Sequence, residues 1–262
     1  MYQYINMKRL LFLLLLIPVL SFGQQVLTYG GKVLTDGTNV LTYTASYLTI
    51  LEDGNTVAWY IADDLTTITK DGANLVSRWN DYLGSGHDLL QAGADNLKPL
   101  WSATGIYFTS AAFTQFMKTA PFTLNQPTIV YIVFKQIDWT DNYYIFDGNA
   151  TRSMSLRQDI ATPDWRISAG VSGFETGIPL NTFRVVRILY NGAASGYSID
   201  ESALTVKDYG NVNAGGFELG SRGGGTQVGA NIEIKEIILR KIADPAADQL
   251  IIYDYLKDKY GL

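Results

Sequence analysis

Past residue 55 the hydrophobic positions fall into short blocks divided by turn formers, the rhythm of β-strands rather than of helices. The stretch Val57–Gln91 sets the pattern. A strand-like VAWYI is followed by a polar turn, an apolar group centred on Trp79, and then the bend NDYLGSGHD. Further strands are predicted at Leu89–Gln91, Ile106–Thr109, Phe113–Met117, Thr128–Lys135, Tyr143–Phe146, Ser153–Arg157, Trp165–Ala169, Phe183–Tyr190, Tyr197–Asp200, Phe217–Leu219 and Ile232–Arg240. TIVYIVFK and FRVVRILY are nearly continuous apolar runs, as central strands buried on both faces require. Asp147-Gly148, Asn191-Gly192 and Gly223–Gly225 mark turns between them. The pattern predicts a single convincing helix, at the end. Asp244 is placed to cap it, Pro245 suits its first turn, Leu250, Ile252, Tyr253 and Leu256 form its apolar face, and Gly261 closes it.

Before that region, VLT recurs at Val26–Thr28, Val33–Thr35 and Val40–Thr42, with Gly30-Gly31 and Asp36-Gly37 between the repeats. A heptad coiled coil would share the period of seven, but the intervening residues are poor helix formers. Gly-Gly and Asp-Gly between β-branched triplets signal hairpins, so a small ribbon of strands is expected, with a flexible linker as the competing reading. Such a ribbon is marginal alone and wants a partner surface.

The pattern W-Y-x-A-D-D-L … V-x-x-W-N-D-x-x-G-x-G-x-D-L-x-Q at Trp59–Gln91 resembles the opening of bacterial and phage laminin-G-like domains. The ending EIKEIILRKIADPAADQLIIYDYLKDKYGL is similar to their last strand and C-terminal helix. This resemblance implies an all-β fold: a concanavalin A-like jelly-roll β-sandwich of two antiparallel sheets with a short C-terminal helix. It speaks to fold more than to ligand.

Composition agrees with many short strands and tight turns: 13% aromatic, 17% charged and 25 glycines in 262 residues. A net charge of −5 without long runs argues against nucleic acid and against an anionic membrane surface. Lys8 and Arg9 precede the apolar run Leu10–Leu20, and Ser21 and Gly23 are small residues suited to signal-peptidase cleavage. The run is too short to span a membrane, so an exported, secreted or surface-held chain without a membrane span is expected, a virion surface included. The organisation expected is a signal peptide over 1–23, a ribbon over 24–55 and the sandwich over 56–262.

Candidate chemistry is sparse. His87 is the sole histidine and cysteine is absent, which disfavours nucleophilic triads and histidine-rich zinc sites; His87 reads as a turn residue. Glucanases of the concanavalin A-like class carry alternating carboxylates on one strand, about 5–5.5 Å apart in retaining enzymes. No such triplet occurs. Asp200-Glu201 are adjacent, and Glu233 and Glu236, three apart, are expected on opposite faces of a regular strand. No hydrolase or lyase activity is therefore expected. Calcium is the cofactor the resemblance implies, with Asp138, Asp141 and Asp147 as candidate ligands, Asp63, Asp64 and Asp81 behind them, and solvated loop acids as the alternative. For a glycan, exposed rings beside hydrogen-bonding groups are wanted. Trp59, Trp79 and Trp101 are expected in the core. Trp139, Tyr143, Asp141, Asn142, Arg152 and Trp165 are the candidate ligand-binding residues, with Arg157 nearby in sequence; packing roles for the two tryptophans remain open. The function expected is a non-catalytic binding module for a glycan or surface receptor. The alternative is a structural or assembly protein that associates through its VLT ribbon.

Overall fold

The computed structural model of the protein describes residues 24–262 apart from 27, 30–31, 34, 37–38, 41, 45, 110–114, 151, 160–163, 177–178 and 224–228, with side chains from residue 47 onward. The expected leader and its cleavage site lie outside the described residues, as do the first two residues of the expected strand Phe113–Met117. The chain divides into two compact units, residues 1–53 and 54–262.

In the first unit six short strands, β1 (Gln24–Val26), β2 (Thr28–Tyr29), β3 (Lys32–Val33), β4 (Thr35–Asp36), β5 (Asn39–Val40) and β6 (Thr42–Thr44), precede a helix, α1 (Ser46–Leu51). All pairings are antiparallel: β1 with β6, β2 with β3, β4 with β5. Tyr29 faces Lys32 and Asp36 faces Asn39, so two-residue connections join the inner pairs, the first at the Gly30-Gly31 signal and the second at Gly37-Thr38, one residue past the start of the Asp36-Gly37 signal. Helix α1 was not anticipated.

The second unit is an all-β sandwich. Its strands are β7 (Thr56–Ile61), β8 (Ile68–Lys70), β9 (Val76–Trp79), β10 (Leu89–Leu90), β11 (Leu100–Ser102), β12 (Gly105–Phe108), β13 (Met117–Lys118), β14 (Thr128–Gln136), β15 (Tyr144–Asp147), β16 (Ser153–Gln158), β17 (Trp165–Ala169), β18 (Ser172–Glu175), β19 (Arg184–Tyr190), β20 (Gly196–Ile199), β21 (Thr205–Val206), β22 (Glu218–Leu219) and β23 (Ile232–Arg240). A nine-stranded sheet runs β18-β17-β16-β15-β22-β13-β10-β9-β8, and an eight-stranded sheet runs β11-β12-β23-β14-β19-β20-β21 with β7 also on β23. Each strand alternates its side chains between two faces, and the inward sets of both sheets form one core. Val130, Ile132, Val186, Ile188, Ile237 and Leu239 come from one sheet, and Val76, Trp79, Phe146, Leu156 and Ile167 from the other. TIVYIVFK becomes most of β14 and FRVVRILY contains all of β19, the buried centre of the eight-stranded sheet. Trp59 and Trp79 are buried, as expected, and Trp101 is partly buried against the core.

The bend after Trp79 is locked by its acids. Asp81 Oδ1 accepts the backbone N–H of Trp59 at 2.8 Å and that of Leu83 at 3.2 Å, and its Oδ2 accepts the N–H of Ser85 at 2.8 Å. Asp88 Oδ1 accepts the N–H of Asp81 at 2.8 Å, while its other oxygen pairs with Arg78. Tyr60 donates its hydroxyl to the His87 carbonyl, and the His87 ring stacks on Phe122 with centroids 4.0 Å apart. The motif W-N-D-x-x-G-x-G-x-D thus fastens a turn to β7.

Two details depart from expectation. Strand β23 carries an irregularity: Val133 pairs with Glu236 but Phe134 with Ile234, which leaves Lys235 out of that ladder. Ile234 and Ile237 therefore both point into the core, and Glu233 and Glu236 share the outer face instead of opposing one another. Helix α2 (Ala246–Tyr260) starts after Pro245 with no side-chain cap. Asp244 is spent elsewhere, on Arg240 and Tyr131. The expected closure holds, with Gly261 at φ 65° and its N–H on the Lys257 carbonyl.

Helix α2 is tied to the sheet by buried polar groups. Glu236, wholly buried, accepts from Trp59 Nε1 at 2.6 Å, Tyr255 Oη at 2.8 Å, Lys259 Nζ at 2.8 Å and Tyr260 Oη at 2.6 Å. Burial, and then Glu236, push the Tyr260 hydroxyl pKa upward.

Candidate functional site

Four strands at one end of the nine-stranded sheet present a row of side chains. In register, Tyr144 of β15 faces Arg157 of β16, Arg157 faces Arg166 of β17, and Arg166 faces Phe174 of β18. The adjacent row, Leu156 with Ile167, belongs to the core, so alternation turns the row Tyr144–Arg157–Arg166–Phe174 to the outer face. Each arginine lies against a ring: Cζ of Arg166 is 4.3 Å from the Phe174 centroid, and Cζ of Arg157 is 5.6 Å from that of Tyr144. Burial runs along the row. Phe174 is 48% exposed, Arg157 only 3% and Tyr144 only 1%.

Like charges directly opposite one another destabilise a sheet. Arg166 is relieved by Asp159, whose Oδ1 lies 3.0 Å from its Nη2. Among the described residues the side chains in hydrogen-bonding reach of Arg157 are neutral: its Nη1 donates to Asn142 Oδ1 at 2.5 Å and to Tyr144 Oη at 3.4 Å. Its Nη2 and the Nε of Arg166 are buried without a hydrogen-bond partner among the described residues. Burial lowers the Arg157 pKa; Tyr144 and Asp159 oppose the shift, while Arg166 and Arg152 add to it.

The loop before β15 is pinned over this row by Gln158. Its Nε2 donates to the Asp138 carbonyl at 2.7 Å, its Oε1 accepts the Thr140 N–H at 3.0 Å, and its carbonyl accepts the Asn142 N–H at 3.1 Å. Asn142, exposed and at φ 63°, is thereby held above Arg157.

The candidates of the sequence reading fare differently. Asn142 joins the row, and Arg152 is exposed at its margin, near enough to act electrostatically on Arg157. Trp139 and Tyr143 are half-buried against the core, and the Trp139 indole N–H is buried without a partner among the described residues. Trp165 is a core residue, because its register position faces inward. It stacks on Phe134 and donates to Gln136 Oε1 at 2.8 Å. Arg166 and Phe174 were missed. An arginine in the middle of an apolar strand, W-R-I, was the available signal.

The three acids proposed for calcium do not form one donor set. Asp141 is exposed, and Asp138 Oδ2 accepts from Asn231 Nδ2 at 2.6 Å. Both oxygens of Asp147 are taken by the backbone N–H groups of Gly148, Arg152 and Ser153. Among the described residues no group of three or more acids or histidines is placed to hold a metal ion.

Asp147 instead has an acid–base consequence. Burial pushes its carboxyl from 3.8 up to about 7, opposed by those N–H donors. Between these values the folded chain retains a proton that the unfolded chain has lost, so stability must fall as pH rises through this window. The change is on the order of 4 kcal/mol. Denaturant unfolding from pH 4 to pH 8 should show this decline in the native chain and a flatter curve in Asp147→Asn. Parallel curves would contradict it.

No family model matches the chain, and no curated protein matches it in sequence. Solved structures do match in shape. Trypanosoma rangeli sialidase in complex with sialic acid superposes with a TM-score of 0.58 and 11% identity, over 91% of this chain and 36% of that one. The covalent intermediate of the same enzyme with 2,3-difluorosialic acid gives 0.56 and 11%, over 78% and 33%. A mutant GH54 α-L-arabinofuranosidase soaked with 4-nitrophenyl α-L-arabinofuranoside gives 0.56 and 13%, over 79% and 64%. The chain thus spans about a third of the sialidase chains. The likeness is one of fold.

These neighbours overturn the expectation of a protein without hydrolase activity, since chains of the same fold belong to glycoside hydrolases. The reasoning behind that expectation also fails in the structure. It sought two carboxylates alternating along one regular strand. The irregularity in β23 places Glu233 and Glu236 on one face, and the ladder between β15 and β22 sets Asp147 opposite Glu218, both wholly buried. A pattern confined to one strand misses pairs made across strands or through a bulge.

Proposed function

We propose that the sandwich recognises a saccharide on the outer face of the nine-stranded sheet, with Phe174 and Arg166, the open end of the row, as the contact surface. The observation that carries this reading is Phe174, an exposed ring at the sheet edge backed by Arg166. A sugar's apolar face stacks on such a ring, while guanidinium and amide groups beside it meet the hydroxyls. The fold is consistent with it, since the sialidase and arabinofuranosidase structures that share it were solved with sialic acid and an arabinofuranoside. Export, read from Leu10–Leu20, belongs to the same proposal and would bring the chain to extracellular glycans.

The test is a glycan array followed by calorimetry with the full chain. Phe174→Ala should weaken binding at least tenfold, about 1.4 kcal/mol, with the melting temperature unchanged. Trp139→Ala should lower the melting temperature, because one side of that ring packs on the core. Binding unaltered in Phe174→Ala would place the site elsewhere.

A further inference from the structure

We propose that Arg157 and Arg166 form a seat for an anionic group, a carboxylate or a sulfate, carried by the saccharide; this rests on the recognition reading above. The two guanidiniums stand opposite one another on adjacent strands, with Arg152 near enough to add to the same positive field. Among the described residues, Asp159 is the one acid that pairs with either of them. A buried guanidinium N–H left without an acceptor is costly, and Arg157 Nη2 and Arg166 Nε are two such groups in one row. The chain has therefore already removed water from donors that an anion needs, and has fixed their directions against the Tyr144 and Phe174 rings.

Access is through Asn142. Its amide oxygen occupies the position on Arg157 Nη1 that a carboxylate or sulfate oxygen would take, but it is neutral, exposed and borne on a loop. A charged oxygen makes the stronger bond to a guanidinium, so an incoming anion displaces Asn142 and closes on the pair. The exposed Phe174 ring then lies at the outer end of the same row, where the sugar carrying the anion would stack.

The experiment is calorimetry of the full chain against three oligosaccharides of matched length: a polyuronate, a sulfated glycan and a neutral arabinan. The expected result is at least tenfold tighter binding of one or both acidic ligands than of the neutral one. The two acidic arms distinguish carboxylate from sulfate. Asn142→Asp supplies Arg157 with an acid of the protein's own. It should raise the melting temperature and lower acidic-ligand affinity at least tenfold more than neutral-ligand affinity. Arg157→Gln should abolish the acidic preference, and Asn142→Asp keeps the test decisive if that variant folds poorly. Equal binding of acidic and neutral ligands, insensitive to Asn142→Asp, overturns the anion seat and leaves saccharide recognition standing. Failure of all three ligands to bind overturns both.

Discussion

Replacing Glu236 by alanine is expected to destabilise the protein by about 3–5 kcal/mol, the cost of breaking a buried ionic network from one side. The carboxylate has no exposed surface and is surrounded by Trp59 Nε1, Tyr255 Oη, Lys259 Nζ and Tyr260 Oη. Removing it takes the shared acceptor from Trp59, Tyr255 and Tyr260, leaves Lys259 with Asp63 at 3.2 Å as its acid partner, and loosens the last turns of α2 from β7 and β23. Glu236→Gln should cost less, because the amide oxygen still serves two donors while its NH2 faces the other two. Urea unfolding followed by tryptophan fluorescence reads both. A loss below about 1 kcal/mol in Glu236→Ala would mean that the helix is held by its apolar face alone.

Asp244→Ala is expected to cost a similar amount for a different reason. Arg240 and Asp244 are both fully buried, with Arg240 Nε 2.9 Å from each carboxylate oxygen. Tyr131 donates to the same carboxylate at 2.9 Å, and Arg240 Nη1 donates to Thr56 Oγ1 at 2.8 Å. The single substitution leaves a guanidinium in the interior without its acid, for about 3–5 kcal/mol. Exchanging both residues for apolar ones of similar volume should cost much less than the two single changes combined, since no charge is then left unpaired. Strict additivity in the double variant would contradict this pairing.

The elements that proved legible were those whose side chains report their own burial. TIVYIVFK and FRVVRILY could only be central strands, and W-N-D-x-x-G-x-G-x-D could only be a bend. Gly261 closes its helix because αL geometry suits glycine. What failed depended on partners far away in sequence. Asp244 looked like a helix cap because that is what an acid before proline does locally. Its buried partners Tyr131 and Thr56-bound Arg240 come from other strands, and they claim it. Trp165 looked exposed beside Pro163 and Asp164, but the ladder with β16 fixes its direction inward. Glu233 and Glu236 changed sides because one residue, Lys235, drops out of register. The candidate site was half visible for the same reason. Asn142 and Arg152 sit in a loop with the right local chemistry, whereas Arg166 and Phe174 become their neighbours only when β17 and β18 pair across the sheet.

Chemical-shift mapping of the full chain with a saccharide that binds it tests the central claim most directly. The account predicts that the perturbed amides cluster on β15 through β18 and on the 138–143 loop, with β14, β23 and α2 silent. Perturbations centred on β14, β23 or α2, with Arg157, Arg166 and Phe174 unmoved, would contradict it.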